Sequence, residues 1–207
     1  MNVIASPVCA KCGQPVAQPG LCRACSQFSP SYTQLRSYAQ FEGPIRNGLH
    51  KLKYKRNVAL GMVFSEYLFE AVKTTSWHID LLVPVPLSKQ RRQERGYNQS
   101  ALLAKPLGMR MGLPYSSKAL SRRRETTSQV GLNYEQRREN VKDAFVALKK
   151  YVAHRRVLLV DDVATSGATI EACSAALFKA GAARVYGLTL ARALLKKREN
   201  VLSINGG

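Results

Sequence analysis

The sequence predicts an α/β fold in which a parallel sheet is flanked by helices and preceded by a small cysteine-bearing module. Three observations lead there. Residues 80–87 (Asp-Leu-Leu-Val-Pro-Val-Pro-Leu), 157–160 (Val-Leu-Leu-Val) and 185–190 are short, largely apolar runs. Such runs mark strands buried on both faces, as in parallel sheets. Between them lie segments whose apolar residues recur at helical spacing, and four cysteines gather in the first 25 residues. At 207 residues there is room for one medium domain and a small appendage. The expected division is a cysteine module over 1–30, an α/β domain over 31–195 and a basic tail over 196–207.

Cys9, Cys12, Cys22 and Cys25 are spaced Cys-x2-Cys-x9-Cys-x2-Cys, with Gly13, Pro15, Pro19 and Gly20 to make the turns. Each pair puts two thiolates on one tight turn, and two such knuckles close a tetrahedral Zn²⁺ site. Two disulfides are the alternative, disfavoured in a reducing compartment. Residues 1–10 have neither a basic stretch nor a long apolar one, so a cytoplasmic location is expected. So short a module cannot bury a core, and its folding free energy would come from the metal, on the order of 10–16 kcal/mol. With four protein ligands the ion is structural.

Residues 26–41 read as a connector with short strands. In residues 43–55, Ile45, Leu49 and Leu52 form one apolar stripe of a helix, with His50, Lys51, Lys53, Lys55 and Arg56 on a face read as solvated. A second helix covers 60–72, with Val63, Phe64, Tyr67, Leu68 and Ala71 apolar. The strand in 80–87 must stop at its prolines, which remove backbone donors. Lys89, Arg91, Arg92 and Arg95 follow as a basic loop, then a helix over 98–112. Residues 119–132 carry Arg122, Arg123 and Arg124 with little periodicity and read as a long loop. A basic helix over 134–140 and a short strand over 144–148 precede the central stretch.

That stretch, residues 157–169, reads Val-Leu-Leu-Val-Asp-Asp-Val-Ala-Thr-Ser-Gly-Ala-Thr. A buried strand, the acidic pair Asp161 and Asp162, a small-residue loop and a helix start follow one another. Loop N–H groups and the positive end of a helix hold phosphate. Thr165, Ser166 and Thr169 add hydroxyls. Ligands of open α/β sheets sit at the carboxyl ends of strands, where this acidic pair lies. The combination points to a sugar phosphate. A helix over 168–180 closed by Gly181, with Cys173 in the core, and a last strand over 185–190 complete the domain.

Residues 157–169 resemble the signature of type I phosphoribosyltransferases, which bind phosphoribosyl pyrophosphate (PRPP). The resemblance implies that Asp161 and Asp162 hold the ribose hydroxyls. It implies that Val163, Ala164, Thr165, Ser166, Gly167, Ala168 and Thr169 form the phosphate loop. It also implies that Arg91, Arg92 and Arg95 bind pyrophosphate with Mg²⁺. Together with the cysteines, Leu52-Lys53-Tyr54, Val83-Pro84-Val85-Pro86-Leu87, Glu94-Arg95-Gly96-Tyr97-Asn98-Gln99, residues 126–129 and Arg138-Glu139-Asn140-Val141, the chain is similar to the ComF family. In that family a zinc-ribbon module precedes a phosphoribosyltransferase-like, Rossmann-type domain. The resemblance implies a part in natural competence, moving single-stranded DNA into the cytoplasm beside a helicase-like partner and the inner-membrane uptake machinery.

The composition agrees with a polyanionic partner. Thirty-two basic residues against 13 acidic give a formal charge of +19, and such an excess favours nucleic acid, a phosphate-rich substrate or an anionic surface. A general basic bias is the alternative. Lys89, Arg122, Arg123 and Arg124 are the candidates for nucleic-acid contact. Two other readings stand beside DNA uptake: a working phosphoribosyltransferase in which Asp161 and Asp162 orient the ribose during catalysis, and a PRPP-sensing protein without chemistry.

Overall fold

The computed structural model describes residues 1–124, 136, 140, 141 and 143–194. Strands β1 (Gln34–Gln40), β2 (Leu81–Pro84), β5 (Arg156–Ala164) and β6 (Arg184–Arg192) form one parallel sheet in the order β1-β6-β5-β2. β3 (Leu120–Arg122) and β4 (Phe145–Ala147) pair antiparallel beside it. The α/β expectation holds: helices cover both faces of the sheet.

β5 is the inner strand that decides the geometry. It pairs with β2 from Leu81↔Val157 to Pro84↔Val160 and with β6 from Arg156↔Arg184 to Ala164↔Arg192. It therefore runs through both aspartates, beyond the apolar run 157–160. The apolar run ends where β2 ends, because up to there both faces of the strand are covered and its side chains are buried in the two clusters. Pairing with β6 alone needs only the backbone.

Alternation along β5 sorts its side chains. Leu158 and Val160 pack with Leu188 and Leu190 against helices α2 (Gly43–Tyr54), α3 (Leu60–Lys73) and α5 (Gln99–Met111). Val157 and Leu159 face α7 (Ala168–Lys179), the hairpin and the cysteine module. α2 buries Ile45, Leu49 and Leu52, and α3 buries Phe64, Leu68 and Val72, while Val63 is exposed. α7 lies unusually close to the sheet at Gly187. A Cβ there would sit 2.8 Å from Ile170 Cγ2 and 2.9 Å from Leu35 Cδ1, so only glycine admits the helix at this depth.

Several expectations change. The connector 26–41 begins in the last residues of α1 (Arg23–Gln27) and holds the single strand β1, which is an edge of the main sheet. The basic loop after β2 is a helix, α4 (Lys89–Arg95), whose N-cap Ser88 accepts a hydrogen bond from Arg91 N–H at 3.2 Å. A run of long straight-chain residues behind a serine is a helix start, which the charge obscured. The loop expected over 119–132 begins as β3, a strand too short and too basic to show periodicity. Gln129, the family segment 126–129, residues 130–132, most of the helix expected over 134–140 and the tail 196–207 lie outside the described residues.

Two further pieces fix the frame. A short helix α6 (Lys149–Val152) leads into β5. At the start of β5, Arg156 grips Asp80, the residue before β2, through Nε–H at 2.9 Å, Nη2–H at 2.6 Å and its backbone N–H at 2.8 Å. These bonds hold the Asp80 carboxyl down to about 2. A carboxylate held below its unfolded value stabilises the fold above pH ~4, and loses that contribution as pH falls toward ~2. The pair is partly exposed, so Asp80→Asn is expected to cost about 1 kcal/mol at pH 7. In urea melts the difference from the unmodified protein should vanish near pH 2.

Candidate functional site

The site is built at the carboxyl end of β5, where β2 has already ended. Asp161 has the parity of Val157 and Leu159, and Asp162 that of Leu158 and Val160, yet with β2 ended both carboxylates find partners on helices of one face, α5 and α2. Each finds different company.

Asp161 Oδ1 accepts a hydrogen bond from Ser100 Oγ at 2.8 Å and from the Asp162 N–H at 2.9 Å. Ser100 stands in the first turn of α5, whose N-cap Asn98 accepts from the Ser100 N–H at 3.0 Å and donates through Nδ2 to Val85 O at 2.9 Å. The positive end of α5 is thus pinned to the chain after β2 and turned to the carboxylate. Even so, burial and the neighbouring Asp162 charge push the Asp161 carboxyl up to about 7.

Asp162 is buried and forms an ion pair with Lys53 Nζ. Lys53 stands in the last turn of α2, and two further residues hold that turn. Tyr97 Oη donates to Leu52 O. Arg95 lays its guanidinium over the Tyr54 ring, 5.1 Å from the centroid, with Nη2 3.5 Å from Tyr54 Oη. Arg95 is only 8% exposed, and its Nε and Nη1 are buried without a hydrogen-bond partner. Buried orphan donors are rare in folded proteins, and this one lies against Tyr54, the residue after Lys53.

Lys53 was read from the sequence as part of a solvated face, and this is corrected. It stands four residues after Leu49, so helical spacing already places it on the rim of the buried stripe. Of the four basic residues after β2, only Arg95 is buried, while Lys89, Arg91 and Arg92 are on the exposed side of α4.

Val163 and Ala164, expected in the phosphate loop, are the last residues of β5, and a loop of Thr165, Ser166 and Gly167 leads from them into α7. Gly167 is the N-cap, with φ of 81°, a conformation strained for other residues. It brings no side chain to cap the helix, whose positive end therefore faces the loop. Ser166 Oγ accepts from the Ala168 N–H at 3.4 Å. Thr165 is exposed, and Ser166 and Thr169 are half-buried. The arrangement offers carboxylates, loop hydroxyls and a helix N-terminus on one rim. Arg122, Arg123 and Arg124 sit apart on the β3 side. Arg122 lies over the Phe145 ring at 5.5 Å, and Arg124 Nη2 donates to Asn140 O at 3.2 Å. Arg123 lines a groove of about 900 Å³ between the hairpin and α7.

The cysteine module abuts this rim. The sulfurs of Cys9, Cys12, Cys22 and Cys25 all lie within 4.8 Å of one another and are buried. Cys12 Sγ and Cys22 Sγ are 3.7 Å apart, far beyond a disulfide bond of ~2.05 Å. They match the ~3.8 Å edge of a tetrahedron with metal–sulfur bonds of ~2.3 Å. The donor set fits a metal ion. Burial raises the Cys12 thiol to about 11 and Cys25 further. Cys9, against its burial, falls to about 6 because the N–H groups of Cys12, Cys22 and Lys11 point at its sulfur. Arg192, buried at the end of β6, donates from Nη2 to Cys12 O. Ser31 N–H donates to Glu171 Oε2, in the first turn of α7, at 2.8 Å. Neither Arg192 nor Ser100 carried a signal in the sequence beyond its polarity.

No family model matches the chain. The chain is 34% identical over 193 residues to the DNA utilization protein YhgH of Salmonella typhimurium, covering 90% of this chain and 85% of that one. It is 32% identical over 197 residues to Competence protein F of Haemophilus influenzae, with the same coverage. The chain belongs to the ComF family. Competence protein ComFC of Bacillus subtilis is a more distant member, 26% identical over 203 residues, covering 93% of this chain and 80% of that one. Among solved structures, glutamine PRPP amidotransferase from B. subtilis matches with a TM-score of 0.45 at 20% identity, over 64% of this chain and 26% of that one. Adenine phosphoribosyltransferase from Leishmania tarentolae matches with 0.42 at 13% identity, over 69% and 74%. Among the described residues, no helix is long and apolar enough to cross a membrane.

Two outcomes are expected. Atomic absorption should find one metal ion per chain in the unmodified protein, and Cys12→Ser should lose it and lower Tm. Asp161→Asn should raise Tm by a few degrees at pH 8 and leave it unchanged at pH 4. The sign follows from the raised carboxyl: its ionisation costs nothing below pH ~4, and the cost grows as pH rises toward 7.

Proposed function

We propose that this ComF-family chain acts in the uptake or use of DNA and binds PRPP at the carboxyl end of β5. The observation that carries the reading is the acidic pair of β5 beside the start of α7, whose N-cap residue brings no side chain, with the basic α4 following the neighbouring strand β2. Loop residues Val163, Ala164, Thr165, Ser166, Gly167, Ala168 and Thr169 take the 5′-phosphate, and Asp161 and Asp162 take the ribose hydroxyls. Arg91, Arg92 and Arg95 take the pyrophosphate, whose oxygens suit a guanidinium fork. Mg²⁺ bound with PRPP would add charge neutralisation there. The metal of the cysteine module is zinc, and the units are 1–30, 31–195 and the tail 196–207.

The family names speak for DNA. In relatives these are a DNA utilization protein and competence proteins. Single-stranded DNA would track the basic residues Lys89, Arg122, Arg123 and Arg124, held by phosphate contacts. The protein would act in the cytoplasm, at the inner face of the membrane beside an uptake helicase. Phosphoribosyl transfer is the second reading, favoured by the raised Asp161, since perturbed carboxyls gather at catalytic sites.

Calorimetric titration of the full chain with PRPP and Mg²⁺ tests the site. Asp161→Ala is expected to abolish the binding heat while keeping the metal. Equal affinity in both proteins overturns the assignment. Affinity for an oligo-dT strand should fall by an order of magnitude or more between 50 and 200 mM salt. Salt-independent binding removes the DNA path. Pyrophosphate release with candidate acceptors, lost in Asp161→Asn, would establish the transfer reaction.

A further inference from the structure

The acidic pair already has a cation. We propose that Lys53 is a specificity-determining residue of the sugar-phosphate site, a built-in ammonium that lets the pair take an anionic ribose phosphate without a divalent metal. The inference rests on the sugar-phosphate reading above and deepens it.

Two neighbouring carboxylates repel an anionic ligand unless their charge is offset. Here the offset comes from the protein itself. Lys53 Nζ is paired with Asp162, and both side chains are largely shielded, 19% and 8% exposed. The ammonium lies directly against the buried carboxylate. Lys53 has three N–H donors, and a single carboxylate oxygen uses only part of them. The rest remain for ligand oxygens. Asp162 likewise keeps lone pairs for a hydroxyl, since a carboxylate offers about four acceptor positions.

The surroundings hold Lys53 where it is. The backbone carbonyl before it accepts from Tyr97 Oη, and the ring after it is covered by Arg95. Arg95 is itself buried, with Nε and Nη1 unpartnered. Two cationic groups thus flank Tyr54, one engaged with the acid pair and one with donors to spare. Ser100 and the Asp162 N–H supply the corresponding donors to Asp161. Together these groups neutralise one carboxylate and hydrogen-bond the other, leaving a site that tolerates a phosphorylated ribose with no metal at the hydroxyls.

Ribose 5-phosphate is the probe, because it has the hydroxyls and the 5′-phosphate but no pyrophosphate to recruit Mg²⁺. The full chain is titrated by calorimetry in resin-treated buffer, which removes free divalent ions without stripping the cysteine module, and again with Mg²⁺. The unmodified protein is expected to bind equally, within about threefold, in both buffers. Lys53→Met should bind roughly tenfold to a hundredfold more weakly without Mg²⁺ and recover most of that loss when Mg²⁺ is added. Lys53→Arg should bind as the unmodified protein does. If Lys53→Met does not fold, Lys53→Gln, which keeps a donor to Asp162, serves for the same comparison. A requirement for Mg²⁺ in the unmodified protein, or unchanged Mg²⁺-free binding in Lys53→Met, overturns the role of Lys53. Absence of binding by the unmodified protein in both buffers overturns the sugar-phosphate site itself.

Discussion

Two adjacent carboxylates at the end of the central strand, Asp162 buried and Asp161 half-buried, are the constraint around which this molecule is arranged. Desolvating them costs several kcal/mol each unless partners are at hand. The partners come from far along the chain: Lys53 from α2, and Ser100 from α5. Each helix must be held at its end nearest the pair, and each is. Tyr97 fixes α2 through Leu52 O, and Asn98 fixes α5 through Val85 O. The segment 94–100 supplies both of these ties, so a stretch that looks like a connector is the clamp that sets the site.

Much of this was legible in the sequence because it is local. Apolar runs marked β2, β5 and β6, and stripes at helical spacing marked α2 and α3. The cysteine spacing marked the knuckles, and the acidic pair before a small-residue loop marked the ligand end of β5. What escaped was non-local or masked by charge. Lys53 and Asp162 are separated by most of the domain, and nothing in either segment names the other. Arg95 looked like its neighbours Arg91 and Arg92, and only burial separates it. α4 and β3 were read as loops because basic residues hid a helix start and a three-residue strand.

The cysteine module is not an appendage hung on a linker. Its four sulfurs share one apolar cluster with Leu35, Val157 and Ile170, and Arg192 ties Cys12 to the end of β6. Arg192 pairs through its backbone with Ala164, the residue just before the small-residue loop. The module and the loop are therefore neighbours through a single residue of β6, whose Nε is buried without a hydrogen-bond partner.

The edges of the sheet carry one more lesson. At β1, Ile4 N–H donates to Tyr38 O and Gln40 N–H to Asn2 O. At β2, Leu82 donates to Pro114 O and accepts from Ser116, and Pro84 ends the strand with no donor at all. Both borders are hemmed by the protein's own backbone. A partner cannot extend this sheet by laying a strand along it. Large partners must engage side chains at the ends of the strands or on the helices, so recognition here is a matter of charge and shape rather than main-chain pairing.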